Sequence, residues 1–302
     1  MSKKIVDYET GEIIDNVQRI VTESEEKKIS DYRAYMQRRQ QLYQLMSKHC
    51  GNFYFYRYDK LLEQLGDDTA TAFRFLYLCS CADQDGYFVK YKNEYCKSKE
   101  DFTYVFEKTK DTVTSYLNKL ISNKLLYKDA KGYRLNPMYY SMGNMDDEFK
   151  RSSIRTFNNA IKELYRNSDP REHKMIGKIL KLVPYINIYN NVLCWDIEET
   201  DKDLIQPLTA EDIRYVIYPD SNYGYDVMDK LGMLFVKGEP LLGKFTSVDQ
   251  TQYIINPRVF YRGNNVADLK AVIDQFDIAK HQYIRKKKKM NKGGHILCRN
   301  MD

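Results

Sequence analysis

The sequence predicts a mainly α fold with small β-hairpins, an α+β class, laid down as two tandem units joined by helices. Three observations predict it. Two stretches say nearly the same thing: GYRLNPMYYSMGN at 132–144 and QYIINPRVFYRGN at 252–264. At a spacing of 120 residues Tyr133, Asn136, Pro137, Gly143 and Asn144 meet Tyr253, Asn256, Pro257, Gly263 and Asn264, and Tyr140 meets Phe260. The segments ahead of each phrase repeat one order of apolar periods. The length, 302 residues, suits about two domains.

The elements run in order along the chain. VDYETGEIID (6–15) alternates weakly and turns at Thr10-Gly11, a small hairpin. From Glu23 to His49, Ile29, Tyr32, Met36, Tyr43 and Met46 fall near a helical period, with Arg39 interrupting. That stripe can pair with a second copy or simply cap its own domain. ATAFRFLYLCSCA (70–82) is apolar nearly all round, so it is a buried helix. After the Asp85-Gly86 turn, YFVKY (87–91) alternates as a strand. SKEDFTYVFE (98–107) opens with Ser and acids, a helix start. TKDTVTSYLNKLISNK (109–124) puts Val113, Tyr116, Leu117, Leu120 and Ile121 on one stripe, with Thr109 as its cap. LLYKDAKGYRL (125–135) is a hairpin turning at Asp129–Gly132. Helix, strand, helix, turn, helix and hairpin is the order of a winged helix, with its helix-turn-helix and its wing.

The second copy runs in parallel. IRTFNNAIKELYRN (154–167) is amphipathic and reads as a linker helix across both halves; Ser168-Asp169-Pro170 restarts the chain. MIGKILKLV (175–183) matches the buried helix and NVLCW (191–195) matches YFVKY. LTAEDIRYVI (208–217) matches 98–107, and SNYGYDVMDKLGM (221–233) matches the second helix. LFV through TQYIINP (234–257) matches the wing, with a longer insert. The expected organisation is an N-terminal hairpin and helix at 1–50, a first winged-helix domain at 51–144 and a linker helix at 145–169. A second winged-helix domain at 170–264, a C-terminal helix at 265–284 and a basic tail at 285–302 complete it.

The repeated phrase then reads as punctuation. Asn-Pro ends a wing strand, because the residue before proline is held extended and proline removes a ladder donor. Gly143 and Gly263 offer a positive φ where the chain turns away. Asn144, Asn264 and Asn265 can cap the next helix of the chain.

Charge points to partners. The chain carries +6, but residues 278–302 carry +7 of it, which leaves the body at −1. A cationic end on a neutral body suits a polyanion; the plainer reading is a solvated end. The first helix-turn-helix offers Thr109, Lys110, Thr112, Ser115 and Lys119 to DNA, and its wing offers Lys128, Lys131 and Arg134. The plainer reading is an ordinary amphipathic helix with a solvated face. The second unit has Asp220, Asp226 and Asp229 against Lys230 alone over 219–231, which repels phosphate. Ser221, Asn222 and Tyr223 can still reach bases, and Lys244, Arg258 and Arg262 can compensate. Arg285, Lys286, Lys287, Lys288 and Lys289 complete the candidate DNA contacts.

Enzyme chemistry finds little support. GEPLLGKF (238–245) has the spacing of a phosphate loop, but Phe245 stands where Ser or Thr should, and no helix comes after it. The four histidines, His49, His173, His281 and His295, make no metal-ligand spacing. Glu25-Glu26, Asp67-Asp68 and Asp146-Asp147 sit at helix starts or in loops, where the helix dipole accounts for them. No cofactor is implied. The six cysteines form no CxxC pair and read as reduced thiols. No apolar run reaches the ~18 residues of a membrane span, and MSKKIVDYETGEII lacks the apolar core of a secretion signal, so a cytoplasmic protein is expected.

MDKLGMLFV with QYIINPRVFYRGN, and the opening VDYETGEII, resemble winged-helix DNA-binding proteins of Firmicute plasmids and phages, among them replication initiators of the RepL type. The resemblance lies at the level of the fold. It implies origin or operator binding without catalysis, in replication initiation or transcription control. The first copy departs from the pattern, with Ser141-Met142-Gly143 where the second has Tyr261-Arg262-Gly263. The expectation is therefore a double-stranded-DNA-binding protein, with a homodimer through residues 23–48 as a further expectation. The alternative is a protein-interaction module that holds a host replication or transcription protein through the acidic helix near 220–229.

Overall fold

The computed structural model describes residues 3–6, 13–17, 22–90, 94–143, 145–201, 203–219, 226–246 and 250–291, with the backbone alone for 3–6, 14–17 and 281–291. The chain divides into two compact units, residues 1–44 and 45–302. In the first, strands β1 (Lys3–Val6) and β2 (Ile13–Val17) pair antiparallel, and helix α1 (Glu23–His49) begins where the sequence placed it, with its residues from 45 on counted in the second unit. The Thr10-Gly11 turn lies outside the described residues.

The second unit mixes helices with small antiparallel sheets. Its first half starts with β3 (Phe53–Arg57), α2 (Tyr58–Leu65) and α3 (Thr69–Cys81). Then come α4 (Phe102–Phe106), α5 (Lys110–Ser122), β4 (Leu126–Lys128), β5 (Tyr133–Leu135) and β6 (Tyr140–Ser141). After α6 (Asp147–Arg151), the second half repeats the plan with β7 (Ser153–Phe157), α7 (Asn158–Arg166), α8 (His173–Gly177) and a 3-10 helix over Lys178–Tyr185. It continues with α9 (Ala210–Ile217), α10 (Val227–Gly232) and strands β8 (Phe235–Val236) and β9 (Glu239–Pro240). Strands β10 (Leu242–Thr246), β11 (Thr251–Ile255) and β12 (Phe260–Tyr261) and helix α11 (Val266–Asn291) close the chain.

One four-stranded sheet, in the order β12-β7-β3-β6, joins the halves. Its register is symmetric. Phe55 faces Arg155 at the centre of the β3–β7 pair. On one side Phe55 pairs with Ser141 and Tyr56 with Tyr140; on the other Arg155 pairs with Tyr261 and Thr156 with Phe260. The flanking bonds repeat too. Arg57 N–H donates to the Tyr139 carbonyl and Phe157 N–H to that of Val259; Tyr58 N–H donates to Ser152 and Asn158 N–H to Asn52. The halves are thus related by a local twofold axis between Phe55 and Arg155.

This corrects the expected linker. Residues 154–167 do not form one helix: Ser153–Phe157 is a central strand and α7 begins at Asn158. SIRTF is rich in β-branched and aromatic side chains and is buried nearly throughout, which a strand between two strands requires. The second half therefore starts near 153 rather than 170.

The same packing seals the two halves. Tyr77 on α3 stacks on Tyr165 of α7 with centroids 3.7 Å apart. A Cβ at Gly177 would lie 1.9 Å from the Thr69 carbonyl oxygen, so only glycine lets α8 cross the start of α3 so closely.

The Asn-Pro phrase ends a strand in both halves, and the asparagine does more than sequence suggests. Asn136 N–H and amide donate to the Leu125 and Lys124 carbonyls; Asn256 N–H and amide donate to those of Leu241 and Pro240. Each Oδ1 accepts from the backbone N–H two residues on, at Met138 and Arg258. The asparagine ties the hairpin's last strand to the start of its first and turns the chain towards the shared sheet. The glycine expectation fails: neither Gly143 nor Gly263 has a positive φ. Gly263 serves a close approach instead, since a Cβ would come 2.5 Å from the Ile188 carbonyl oxygen. Asn265 caps α11 by accepting from Ala267 N–H at 2.8 Å, while Asn144 lies outside the described residues. Helix α11 runs past residue 284 to Asn291.

Candidate nucleic-acid interface

Helix α5 separates its residues by face. Val113, Tyr116, Leu117 and Leu120 are buried, while Lys110, Asp111, Ser115, Asn118, Lys119 and Ser122 are exposed. Thr109 occupies the N-cap position, but its hydroxyl meets that of Thr112 at 3.0 Å instead of capping the helix. Lys110 pairs with Glu100 at 2.8 Å and Lys119 with Asp68 at 3.2 Å. Such exposed pairs are weak and screened by salt, so a stronger anion can displace the carboxylate.

The β4–β5 hairpin lies next in the chain. Asp129 Oδ1 accepts from the Lys131 and Gly132 N–H groups and closes its turn. Lys128 is exposed, with its ammonium 5.4 Å from the Tyr133 ring. Lys131 sits 4.2 Å from the rings of both Tyr87 and Tyr95. Arg134 lies over Tyr87 and donates to the Asp85 carbonyl at 2.7 Å. Aromatic faces hold these cations in place without neutralising them.

The second half differs. Ser221, Asn222 and Tyr223 lie outside the described residues. Asp226 and Asp229 are exposed on or beside α10, with Lys230 paired to Asp226. Lys244 is exposed on β10. Arg258 is no phosphate contact: it is buried and bridges Glu239 and Asp277, each at 2.7 Å. Arg262 is spent on the fold as well, donating to the carbonyls of Pro184 and Ile186 and, at 2.9 Å, to the Tyr58 hydroxyl. Arg285 to Lys289 lie on the α11 backbone rather than beyond the helix. The phosphate-loop spacing at 238–245 spans two strands, with Glu239 buried.

A basic strip between the halves escaped the sequence reading. Asp68 caps α3 by accepting from Thr71 N–H at 3.1 Å, and Asp67 beside it takes Lys181 at 2.5 Å. Lys181 also donates to the Ile217 carbonyl. Burial raises the Asp68 carboxyl, but the Thr71 bonds, then Lys119, outweigh it and leave it below its ordinary value. Lys178 is 7% exposed and its ammonium lies 3.5 Å from the Tyr218 ring. Burial, then the ammonium groups of Lys174, Lys181 and Lys230, hold Lys178 down at about 8. The signal was legible: in KMIGKILK, Lys174, Lys178 and Lys181 recur at i, i+4 and i+7, one helical face.

No family model, curated protein or solved structure matches the chain. No helix among the described residues is long and apolar enough to cross a membrane.

Proposed function

We propose that the chain is a cytoplasmic double-stranded-DNA-binding protein built from two winged-helix units, and that the first half is its reader. The observation that carries this is the face of α5. Lys110, Lys119, Ser115, Ser122 and Asn118 stand exposed, with Asp111 the one acid among them, on a helix that comes after a short helix and before a cation-bearing hairpin. In a winged helix that face enters the major groove and the hairpin rests on the backbone. Lys110, Lys119 and Lys128 supply phosphate contacts, and Thr112, Ser115 and Asn118 reach base edges. The role is replication initiation or transcription control in a phage or plasmid, with a homodimer formed through α1. A second reading rests on the other half, where Asp226 and Asp229 are exposed and Met233 is 73% exposed. That surface suits a basic host replication or transcription protein better than phosphate.

Fluorescence anisotropy on a random-sequence duplex at rising salt tests the first reading. A steep loss of affinity is expected, with each phosphate contact adding about 0.9 to the slope of log affinity against log salt. Lys110→Glu with Lys119→Glu should abolish binding. No binding even at low salt would overturn the DNA reading.

A further inference from the structure

We propose that Lys174, Lys178, Lys181 and Lys230 form a track for consecutive backbone phosphates of duplex DNA across the junction of the two halves, continuing the line begun by Lys119. The inference rests on the DNA-binding reading and adds contacts from α8 and the 3-10 helix, outside both proposed helix-turn-helix units. Its elements come from both halves. Lys119 is on α5, and Asp67 and Asp68 start α3. Lys174 is on α8, Lys178 and Lys181 are on the 3-10 helix directly after it, and Lys230 is on α10. Ion pairs tie α5 and the 3-10 helix to the start of α3, Lys119 to Asp68 and Lys181 to Asp67, while Lys230 pairs with Asp226 at the start of its own helix. Five ammonium groups thus meet three carboxylates.

Lys178 marks the track as more than a solvated face. A lysine this buried normally has an anion beside it. Lys178 has a tyrosine ring at 3.5 Å and the ammonium groups of Lys174, Lys181 and Lys230 around it, with the Asp226 and Asp67 carboxylates in electrostatic reach. Cations thus outnumber carboxylates around this ammonium. A phosphate oxygen would offset that excess and accept a charge-assisted hydrogen bond from it. Asp67 is 91% exposed at its side chain, so its hold on Lys181 yields readily to a phosphodiester in a polyanion. The track would also give the acidic second half a way to hold DNA chiefly through α8 and the 3-10 helix, with Lys230 as its contribution from α10.

The test uses the full chain with Lys174→Gln and Lys178→Met, which remove two charges, the second with an unbranched apolar side chain of similar length. Anisotropy on a random duplex should show a salt slope shallower by about 2, with the melting temperature equal to wild type or higher, because Lys178→Met removes a desolvated cation. A matched titration with inorganic phosphate at constant ionic strength separates a free anion from a backbone. The wild type is expected to favour duplex over phosphate at equal phosphate concentration, and the variant to lose most of that preference. Wild-type binding with an unchanged slope in the variant overturns the track and leaves the α5 reading intact. Phosphate bound as tightly as duplex also overturns it, in favour of a small-anion site. If wild type binds no duplex at all, both fall.

Discussion

The two halves share a frame and differ in what they hang on it. At the exit of the first hairpin Met138 is 52% exposed; at the same place in the second, Arg258 is 8% exposed and ion-paired on two sides. The outward face of α5 carries Lys110 and Lys119, and that of α10 carries Asp229, with Asp226 at its start. What repeats is the set of bonds that the backbone needs, and what differs most is the charge carried on the outward faces. The first half shows Lys110, Lys119 and Lys128 on its surface. The second spends Arg258 and Arg262 inside, and Lys174, Lys178 and Lys181 come together at the junction.

The sharpest way to break the comparison is to give the second half the first half's residue. Arg258→Met leaves Glu239, only 3% exposed, without its main partner. Removing one member of a buried pair strands the other charge, which costs about 3–5 kcal/mol. Urea denaturation should show that loss, whereas Met138→Arg should be nearly neutral because its site is open. Equal effects would mean that the internal role of Arg258 is misassigned.

A second contrast concerns acid. His173, at the start of α8, is fully buried against Phe73, Tyr165 and Tyr116. Arg74 donates its Nε–H to Nδ1 at 3.2 Å, which fixes the neutral tautomer with its proton on Nε2. Burial first, then the charges of Arg74 and Lys108, lower His173 to about 4, against a weak opposing pull from Asp169. A depressed histidine contributes stability above its unfolded value near 6.5, and that contribution fades as pH falls towards 4. Across that window the loss from this one group is on the order of 3 kcal/mol. His173→Phe should flatten that limb of the stability–pH curve, read by denaturant midpoints. An acid limb equal to wild type would assign the lability elsewhere.

Much of this was legible in sequence, for identifiable reasons. Helix α1 has the bounds its pattern gave, and α3 and α5 lie within a residue or two of theirs, because apolar periodicity reports burial directly. The pairing of β3 with β7 was not legible. Laid over each other in chain order, FYFYR and SIRTF share no residue, so the repeat there is carried by register alone. The amphipathic period of 154–167 belongs to α7 and misled at its first four residues. Arg258 and Arg262 read as phosphate contacts because charge in a sequence carries no sign of burial; only the partners Glu239, Asp277 and Tyr58 decide it. The lysine strip was missed because its acids, Asp67 and Asp68, lie in the other half of the chain from Lys181.

The smallest contrast tests the frame itself. Asn136 and Asn256 make the same bonds to the same places, but Asn256 is fully buried and also donates to Glu239 at 3.2 Å, while Asn136 is half-buried. Truncation leaves the same backbone carbonyl without its amide partner in each case. Water can take over that bond at the first site and has no room at the second. A net hydrogen bond is worth about 1 kcal/mol, and an unsatisfied buried group costs about 1–3. Asn136→Ala should therefore cost about 1 kcal/mol and Asn256→Ala about 2–3, with the difference read from urea midpoints at equal slope. If the two alanine variants lose the same stability, the asparagine acts through the backbone turn alone, and the burial of the second half adds nothing at this position. If Asn136→Ala proves the more costly, the first half, not the second, is the one whose frame holds the shared sheet together.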